Sequence, residues 1–255
     1  MNRQTRQAAK RHRSFDAMSG ILGWILGLVK KEFSDFTLEG KRALEIGTGQ
    51  FLNHPFGLCV CGCNQVVTID NRINILDISA SMKNIVHARR YLSGFVSHDN
   101  FMARLEKIRA TKYSISGLHL LGISYLTQRV QFKDVFDFVF SYTTLEHVPE
   151  KEIVSLLDYC YNSLAPGGIC AHFVDLEDHR NPFKKPFDFL EEKTWETENR
   201  LRISSWSKLF DKYNMDVRFP YAPVRWDAPL PKEIAVHGID EEDLRTSAFL
   251  MVGKK

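Results

Sequence analysis

The alternation of short apolar runs and amphipathic stretches along this 255-residue chain predicts an α/β fold. The expected architecture is a mostly parallel sheet of about seven strands, with helices on both faces and an antiparallel last hairpin. Three observations carry it. From Lys41 onward, β-branched runs alternate with helical stretches. An apolar run passes directly into the turn Gly47-Thr48-Gly49 and then into a helical stretch. The last two strands lack a strong crossover helix and have only a short candidate, Glu241–Arg245, between them. The composition, 44% hydrophobic and 25% charged, is that of an ordinary globular domain that needs neither disulfide nor metal to hold its core.

The elements follow in order. Arg42–Ile46 reads as a first buried strand and Phe56–Cys61 as the helix after it. Val66–Ile69 is a second strand, Ile78–Leu92 and Phe101–Lys112 are helices, and Gly122–Tyr125 is a third strand. Phe136–Phe140 is the fourth. Lys151–Ser163 is a strongly periodic helix with Ile153, Leu156, Leu157, Cys160 and Tyr161 on one face. It stops at Ala165-Pro166-Gly167-Gly168, read as a helix end followed by a turn. Ile169–Val174 is the fifth strand, Ser205–Tyr213 a helix, and Met215–Phe219 and Phe249–Val252 the last two strands.

Residues 1–32 stand apart from the domain expected over 33–255. Arg3, Arg6, Lys10, Arg11 and Arg13 precede any acidic residue, and an apolar stretch runs from Met18 to Val29. It is shorter than the roughly 18 residues of a membrane-spanning helix. Lys30, Lys31 and Glu32 stand where a signal peptide would carry its cleavage site. On a helical wheel Met18, Ile21, Leu22, Ile25, Leu28 and Val29 share a face, with Gly20, Gly23 and Gly27 opposite. Two expectations follow: a helix packed on the domain, or an interfacial anchor whose basic arm lies on anionic headgroups. The five cysteines form no secreted framework, which points to a reducing, cytoplasmic setting, peripheral on the inner membrane face if the anchor holds. Cys59-x-Cys61-x-Cys63 lacks the paired spacing and second pair of a zinc site. A net charge of +3 and the absence of an RNA-binding module exclude bulk nucleic-acid binding.

The chemistry begins at the glycine turn. Gly47 and Gly49 let the backbone turn tightly and approach a ligand, and the following helix offers unpaired N–H groups. Asp70 ends the second strand about 20 residues on, where a carboxylate accepts ribose hydroxyls. The dinucleotide fingerprint requires a small residue three after the second glycine, and Leu52 stands there. Glu45, two before Gly47, is placed to meet a positively charged ligand end.

Leu44-Glu45-Ile46-Gly47-Thr48-Gly49 resembles motif I of the class I S-adenosylmethionine (SAM)-dependent methyltransferases. Val67-Thr68-Ile69-Asp70 resembles their acidic motif. Phe136–Ser141 through Leu145-Glu146-His147-Val148 resembles the fourth-strand motif of the small-molecule branch, and Leu164-Ala165-Pro166-Gly167-Gly168 the turn before strand five. The resemblance implies a Rossmann-like sheet and SAM as cofactor, held by Glu45, Gly47, Thr48, Gly49, Asp70, Asn71 and Ser141, with Gln128 at the adenine. Ser141-Tyr142-Thr143-Thr144 replaces the Asn/Asp-Pro-Pro-aromatic step of enzymes that methylate base amines, which favours an oxygen acceptor. Thr143 stands where some relatives carry a metal-binding Glu, so no catalytic metal is expected.

A hydroxyl acceptor must lose its proton, and His179, His147 and Asp175 are the candidates to take or steer it. Asp175-Leu176-Glu177-Asp178-His179 and Arg200-Leu201-Arg202 resemble methyltransferases of surface-glycan biosynthesis. Residues 175–203 form an expected substrate-side insertion. Its Phe183, Lys184, Lys185, Phe187, Phe189, Lys193 and Trp195, with Arg200 and Arg202, suit a lid over an acidic acceptor. Three readings result: methyl transfer to an oxygen of a small or lipid-linked glycan, methylation of an isoprenoid or phenolic molecule, and a non-catalytic SAM-fold scaffold.

Overall fold

The computed structural model describes residues 15–49, 51–71, 85–111, 115–180, 185–191, 199–232 and 238–255. The expected basic arm, the first half of the Ile78–Leu92 helix and residues 181–184 and 192–198 of the insertion lie outside them. The described elements are α1 (Phe15–Glu32), β1 (Arg42–Ile46), α2 (Asn53–Val60), β2 (Gln65–Ile69), α3 (Ile85–Leu92), α4 (His98–Ala110), α5 (Ile115–Leu118) and β3 (Ile123–Leu126). There follow β4 (Phe136–Tyr142), α6 (Glu150–Ser163), β5 (Leu164–Asp175), α7 (Ile203–Asp211), β6 (Asp216–Tyr221), α8 (Glu241–Arg245) and β7 (Ala248–Lys254). The strands form a seven-stranded sheet in the order β3-β2-β1-β4-β5-β7-β6. β1 pairs parallel with β2, and β2 with β3. β7 runs antiparallel to both β5 and β6, which is the expected final hairpin. No helix among the described residues is long and apolar enough to cross a membrane.

The chain forms two compact units. The first takes the chain through Gln131 together with Val135–Phe140. Its strands are buried on both faces: Ala43, Leu44 and Ile46 of β1 and Val66, Val67 and Ile69 of β2 are all inside. This is why they read as mainly apolar runs, each broken by one buried polar residue, Glu45 in β1 and Thr68 in β2. α2 is buried on every side, so it carries no polar face and little amphipathic signal. α4 starts at His98, three residues before its first strong apolar position, because the Ser97 hydroxyl caps it by accepting from the Asn100 N–H at 3.3 Å.

α1 packs into this unit against α2 and α3, with Leu22, Ile25, Leu26 and Val29 fully buried. This is the packing of the first of the two expectations, a helix laid on the domain. Of the three glycines opposite the apolar face, Gly20 and Gly23 meet protein, whereas a Cβ on Gly27 would meet nothing within 4 Å. A Cβ on Gly23 would stand 2.5 Å from the Tyr91 carbonyl oxygen, and one on Gly20 would touch the Tyr91 ring. α3 comes close to α1 at Gly20 and Gly23, through Tyr91.

The second unit takes Phe132–Asp134 and Ser141–Lys255. Ile153, Leu156, Leu157 and Cys160 form the inward face of α6 as their period predicts. Trp206 and Phe210 of α7 stack on each other and, with Phe249, form the core on their side. β5 begins at Leu164, five residues before its expected start. Gly167 (φ 75°) bends the strand while its N–H donates to the Lys255 carbonyl, and Lys255 N–H returns a bond to Gly168 O. The Pro-Gly-Gly step is thus a kinked continuation of the strand.

Candidate active site

In the first unit, β1 leaves the sheet through Gly47 (φ 83°) and Gly49 (φ 68°), conformations only glycine adopts freely. Gly47 N–H donates to Ile69 O at 2.7 Å, which fixes the turn to the end of β2. Gly49 N–H donates to Asp70 Oδ2 at 2.8 Å. The two strand tips expected to form a nucleoside site are therefore adjacent. A carboxylate offers about four lone-pair sites, so the bond to Gly49 leaves Asp70 able to accept from a ribose. A Cβ at Gly49 would meet nothing within 4 Å, so this face of the turn is open to a ligand. The N-terminus of α2, which follows this turn, has no side-chain cap. These features fit SAM. Asn71 and Gln128 are exposed just past the ends of β2 and β3.

Glu45 is 1% exposed and serves beneath the turn. Its Oε2 accepts from Thr68 Oγ1 at 2.5 Å and its Oε1 lies 3.1 Å from His54 Nδ1. The Thr68 hydroxyl also contacts that of Thr48. These bonds compensate for burying a carboxylate. His54 is a partner that the sequence reading did not find. Its only signal is a polar Asn53-His54 step at the start of an otherwise apolar helix.

In the second unit, Ser141 is fully buried, with Oγ 2.8 Å from His172 Nδ1. Burial lowers the His172 pKa to about 4, so this imidazole is neutral at neutral pH. The Ser141 side chain is turned into the core, and any contact with cofactor from this position falls to its main chain. Just past the end of β4, Thr143 adopts φ 44° and donates its N–H to Phe173 O at 3.0 Å. A helical turn, Leu145–His147, follows. Asn199 holds it: its amide Nδ2 donates to Leu145 O at 2.8 Å and Val148 O at 3.1 Å, and its main-chain N–H donates to Glu146 O at 2.6 Å. The far end of the insertion is thereby fastened to the tip of β4.

The three candidate catalytic residues come together here. His179 Nε2 lies 3.2 Å from Asp175 Oδ2, and the His147 and His179 rings are 5.0 Å apart. Glu146, which the sequence reading did not place in the site, is 1% exposed beside them. Burial raises its carboxyl to about 8; the Asp175 charge adds to that rise, while backbone N–H groups of Glu146 and Asp175 and the His179 cation oppose it. Burial also raises Glu177, although Arg225 lies 2.7 Å from it.

Arg202, expected to face an acidic acceptor, is buried. Its guanidinium donates to Leu176 O, Asp243 O, Leu244 O and Thr246 O and stands over the Phe187 ring at 5.3 Å. It is a fastening between the end of β5 and the segment entering β7. At the start of the insertion, Arg180 grips Asp178 through Nε and Nη2 at 2.9 and 2.7 Å. Among the described residues no cluster of His, Cys, Asp and Glu could hold a metal ion.

The profile of a family described as "Methyltransferase domain" matches residues 44–172, from the β1 motif through strand five. The chain belongs to this methyltransferase-domain family. The family's activity is SAM-dependent methyl transfer, and the SAM motifs of this methyltransferase lie inside the matched segment. Similar solved structures include a chain of the complex containing the Haloferax volcanii Trm112 methyltransferase activator, at 14% identity and TM-score 0.48, covering 98% of this chain and 92% of that one. An S-adenosylmethionine-dependent methyltransferase from Mesorhizobium loti matches at 14% identity and TM-score 0.44, over 88% of this chain and 95% of that one. The YcgJ protein of Bacillus subtilis matches at 13% identity and TM-score 0.48, over 91% and 97%. No curated protein matches the chain.

Proposed function

We propose that this methyltransferase moves the methyl group of SAM to a hydroxyl oxygen of a small or lipid-linked glycan. The observation that carries the oxygen acceptor is the His179–Asp175 pair at 3.2 Å, with His147 beside it. When bound, SAM supplies a methyl carbon already activated by its sulfonium, so the residues that matter at the acceptor are those that position it and receive its proton. Asp175, 3.2 Å from Nε2 of His179, orients the imidazole as the group that receives the hydroxyl proton as the oxygen attacks. The His179 side chain is 31% exposed and thus accessible to a substrate. In the first unit, Asp70 accepts from the ribose, Gly47 and Gly49 admit the cofactor closely, Thr48 and Glu45 brace the turn, and Asn71 and Gln128 flank the nucleoside. The glycan class rests on the resemblance of Asp175–His179 and Arg200–Arg202 to surface-glycan enzymes. A second reading, a planar phenolic acceptor, is favoured by the stacked row of Tyr142, Phe173 and Tyr221, whose centroids are 5.1 and 6.2 Å apart.

The test is transfer of labelled methyl from SAM to panels of nucleotide- and lipid-linked sugars and of phenols. Turnover on a sugar that His179→Ala abolishes, with SAM affinity unchanged by calorimetry, is the expected result. A fully active His179→Ala enzyme would remove the base, and turnover on phenols alone would replace the glycan.

A further inference from the structure

Glu146 sits in the second unit in surroundings that a structural residue rarely keeps. It is 1% exposed, and neither carboxyl oxygen has a well-formed hydrogen bond from the protein. A buried carboxyl in that state is costly and calls for a reason. The turn that carries it is not loose. Asn199 makes three bonds to the main chain of Leu145, Glu146 and Val148, so the side chain is held where it is. The next residue is His147, whose ring packs 5.0 Å from that of His179, and His179 is paired with Asp175. The groups that face the Glu146 carboxyl are Asp175 at the end of β5, His179 in the following loop, and the backbone N–H groups of Glu146 and Asp175. Tyr142 of β4 also lies in its field.

We propose that Glu146 is a positioning residue for the His179–Asp175 pair: an uncharged acid in the resting protein that is electrostatically coupled to the pair and sets the proton affinity of the base from inside the core. This rests on the reading of His179 as the base. The physical logic is that of two carboxyls near one site. They are not both ionised readily, and the buried one keeps its proton while the more exposed one carries the charge. Asp175, 33% exposed at its side chain, is the charged member, and Glu146 the neutral one. With Glu146 neutral, the negative charges in the field of His179 are those of Asp175, which contacts it, and of Glu177 and Asp178 in the same loop. When Glu146 loses its proton, a second negative charge appears behind the pair, and the imidazole holds its own proton more firmly. The core carboxyl thus tunes the base: once ionised it makes the imidazole more basic and moves to higher pH the point at which the ring is free of its proton.

The experiment is carboxyl-carbon NMR of the full chain carrying labelled glutamate, with Glu146→Gln to assign the signal. It needs no acceptor, so it separates this proposal from the choice of substrate. The Glu146 signal is expected to titrate near pH 8, far above the other glutamates. Asp175→Asn removes a negative neighbour and shifts that midpoint down, whereas His179→Gln removes a positive neighbour and shifts it up. The His179 ring nitrogen signals record a step at the same pH in the wild-type chain, and Glu146→Gln abolishes that step. A Glu146 signal that titrates with the ordinary glutamates, or one that neither variant moves, overturns the proposal. Should Glu146→Gln fold poorly, the Asp175→Asn and His179→Gln shifts, read on the intact Glu146, still decide it.

Discussion

Two glycines of α1 four residues apart should respond to the same substitution with opposite signs. Gly23 and Gly27 both lie in the helix interior, where alanine is favoured over glycine by about 1 kcal/mol. At Gly27 a Cβ meets nothing within 4 Å, so Gly27→Ala should realise that gain in full. At Gly23 the Cβ would stand 2.5 Å from the Tyr91 carbonyl oxygen and 3.1 Å from its carbon. Both are backbone atoms, which no rotamer change can remove, so α1 and α3 must part. Overpacking of this kind costs about 1–3 kcal/mol, and a contact this short belongs at the upper end. The net effect of Gly23→Ala is a loss of about 1–2 kcal/mol after the helix gain is subtracted. For a chain of this size about 1 kcal/mol moves Tm by roughly 2–4 °C. Differential scanning calorimetry should show Gly27→Ala melting a few degrees above the wild type and Gly23→Ala a few degrees below. If both variants rise, α3 does not cross α1 at Gly23, and the packing of the amphipathic helix into the first unit is refuted.

Further outcomes follow from the sites. Asp70→Ala should weaken SAM binding on the order of 10- to 100-fold by removing charge-assisted bonds, read by calorimetry; unchanged affinity would mean that the two strand tips do not form the nucleoside site. Arg202→Lys keeps the charge but not the fork that reaches four carbonyls, so chemical denaturation should show a loss of about 3 kcal/mol, whereas a surface cation would lose nothing measurable. Two buried groups give stability opposite pH slopes. His172, lowered in the fold from 6.5 to about 4, takes up a proton on unfolding, so its contribution falls as pH drops from 6.5 toward 4. Glu146, raised in the fold from 4.5 to about 8, releases its proton on unfolding, so its contribution falls as pH rises from 4.5 toward 8. Glu146→Gln should therefore hold its stability between these pH values better than the wild type, and parallel curves would show that Glu146 is not buried and neutral.

What the sequence disclosed follows from how local each feature is. β1 and β2 were readable because strands buried on both faces are mainly apolar along their length, and the Gly47–Gly49 turn with Asp70 was readable because its geometry depends on glycine itself. The start of α4 was missed because a cap is polar and lies outside the apolar period, as Ser97 does. The kinked start of β5 was missed because its partner is Lys255, about as far off in the chain as the unit allows. The same distance hid the supporting residues of the site. Glu45 was found, but its burial under His54 and Thr68 was not; Ser141 was found, but not its turn toward His172. Asn199 and Arg202 act on main-chain carbonyls, and the sequence carries no mark of which side chain a carbonyl will meet. The close approach of α3 at Gly23 was not legible because a helical wheel records side chains and not the places where two backbones come close.

All five cysteines are free and buried. Cys59, Cys61 and Cys63 lie in the first unit, and Cys160 and Cys170 in the second. Burial raises each of the first three thiols, Cys59 to about 11, and raises Cys170 to about 12, so none is a ready nucleophile while the fold is closed. The protein thus carries its own footprinting labels. An alkylating reagent followed by peptide mass spectrometry would time the opening of each half separately, without a single engineered probe.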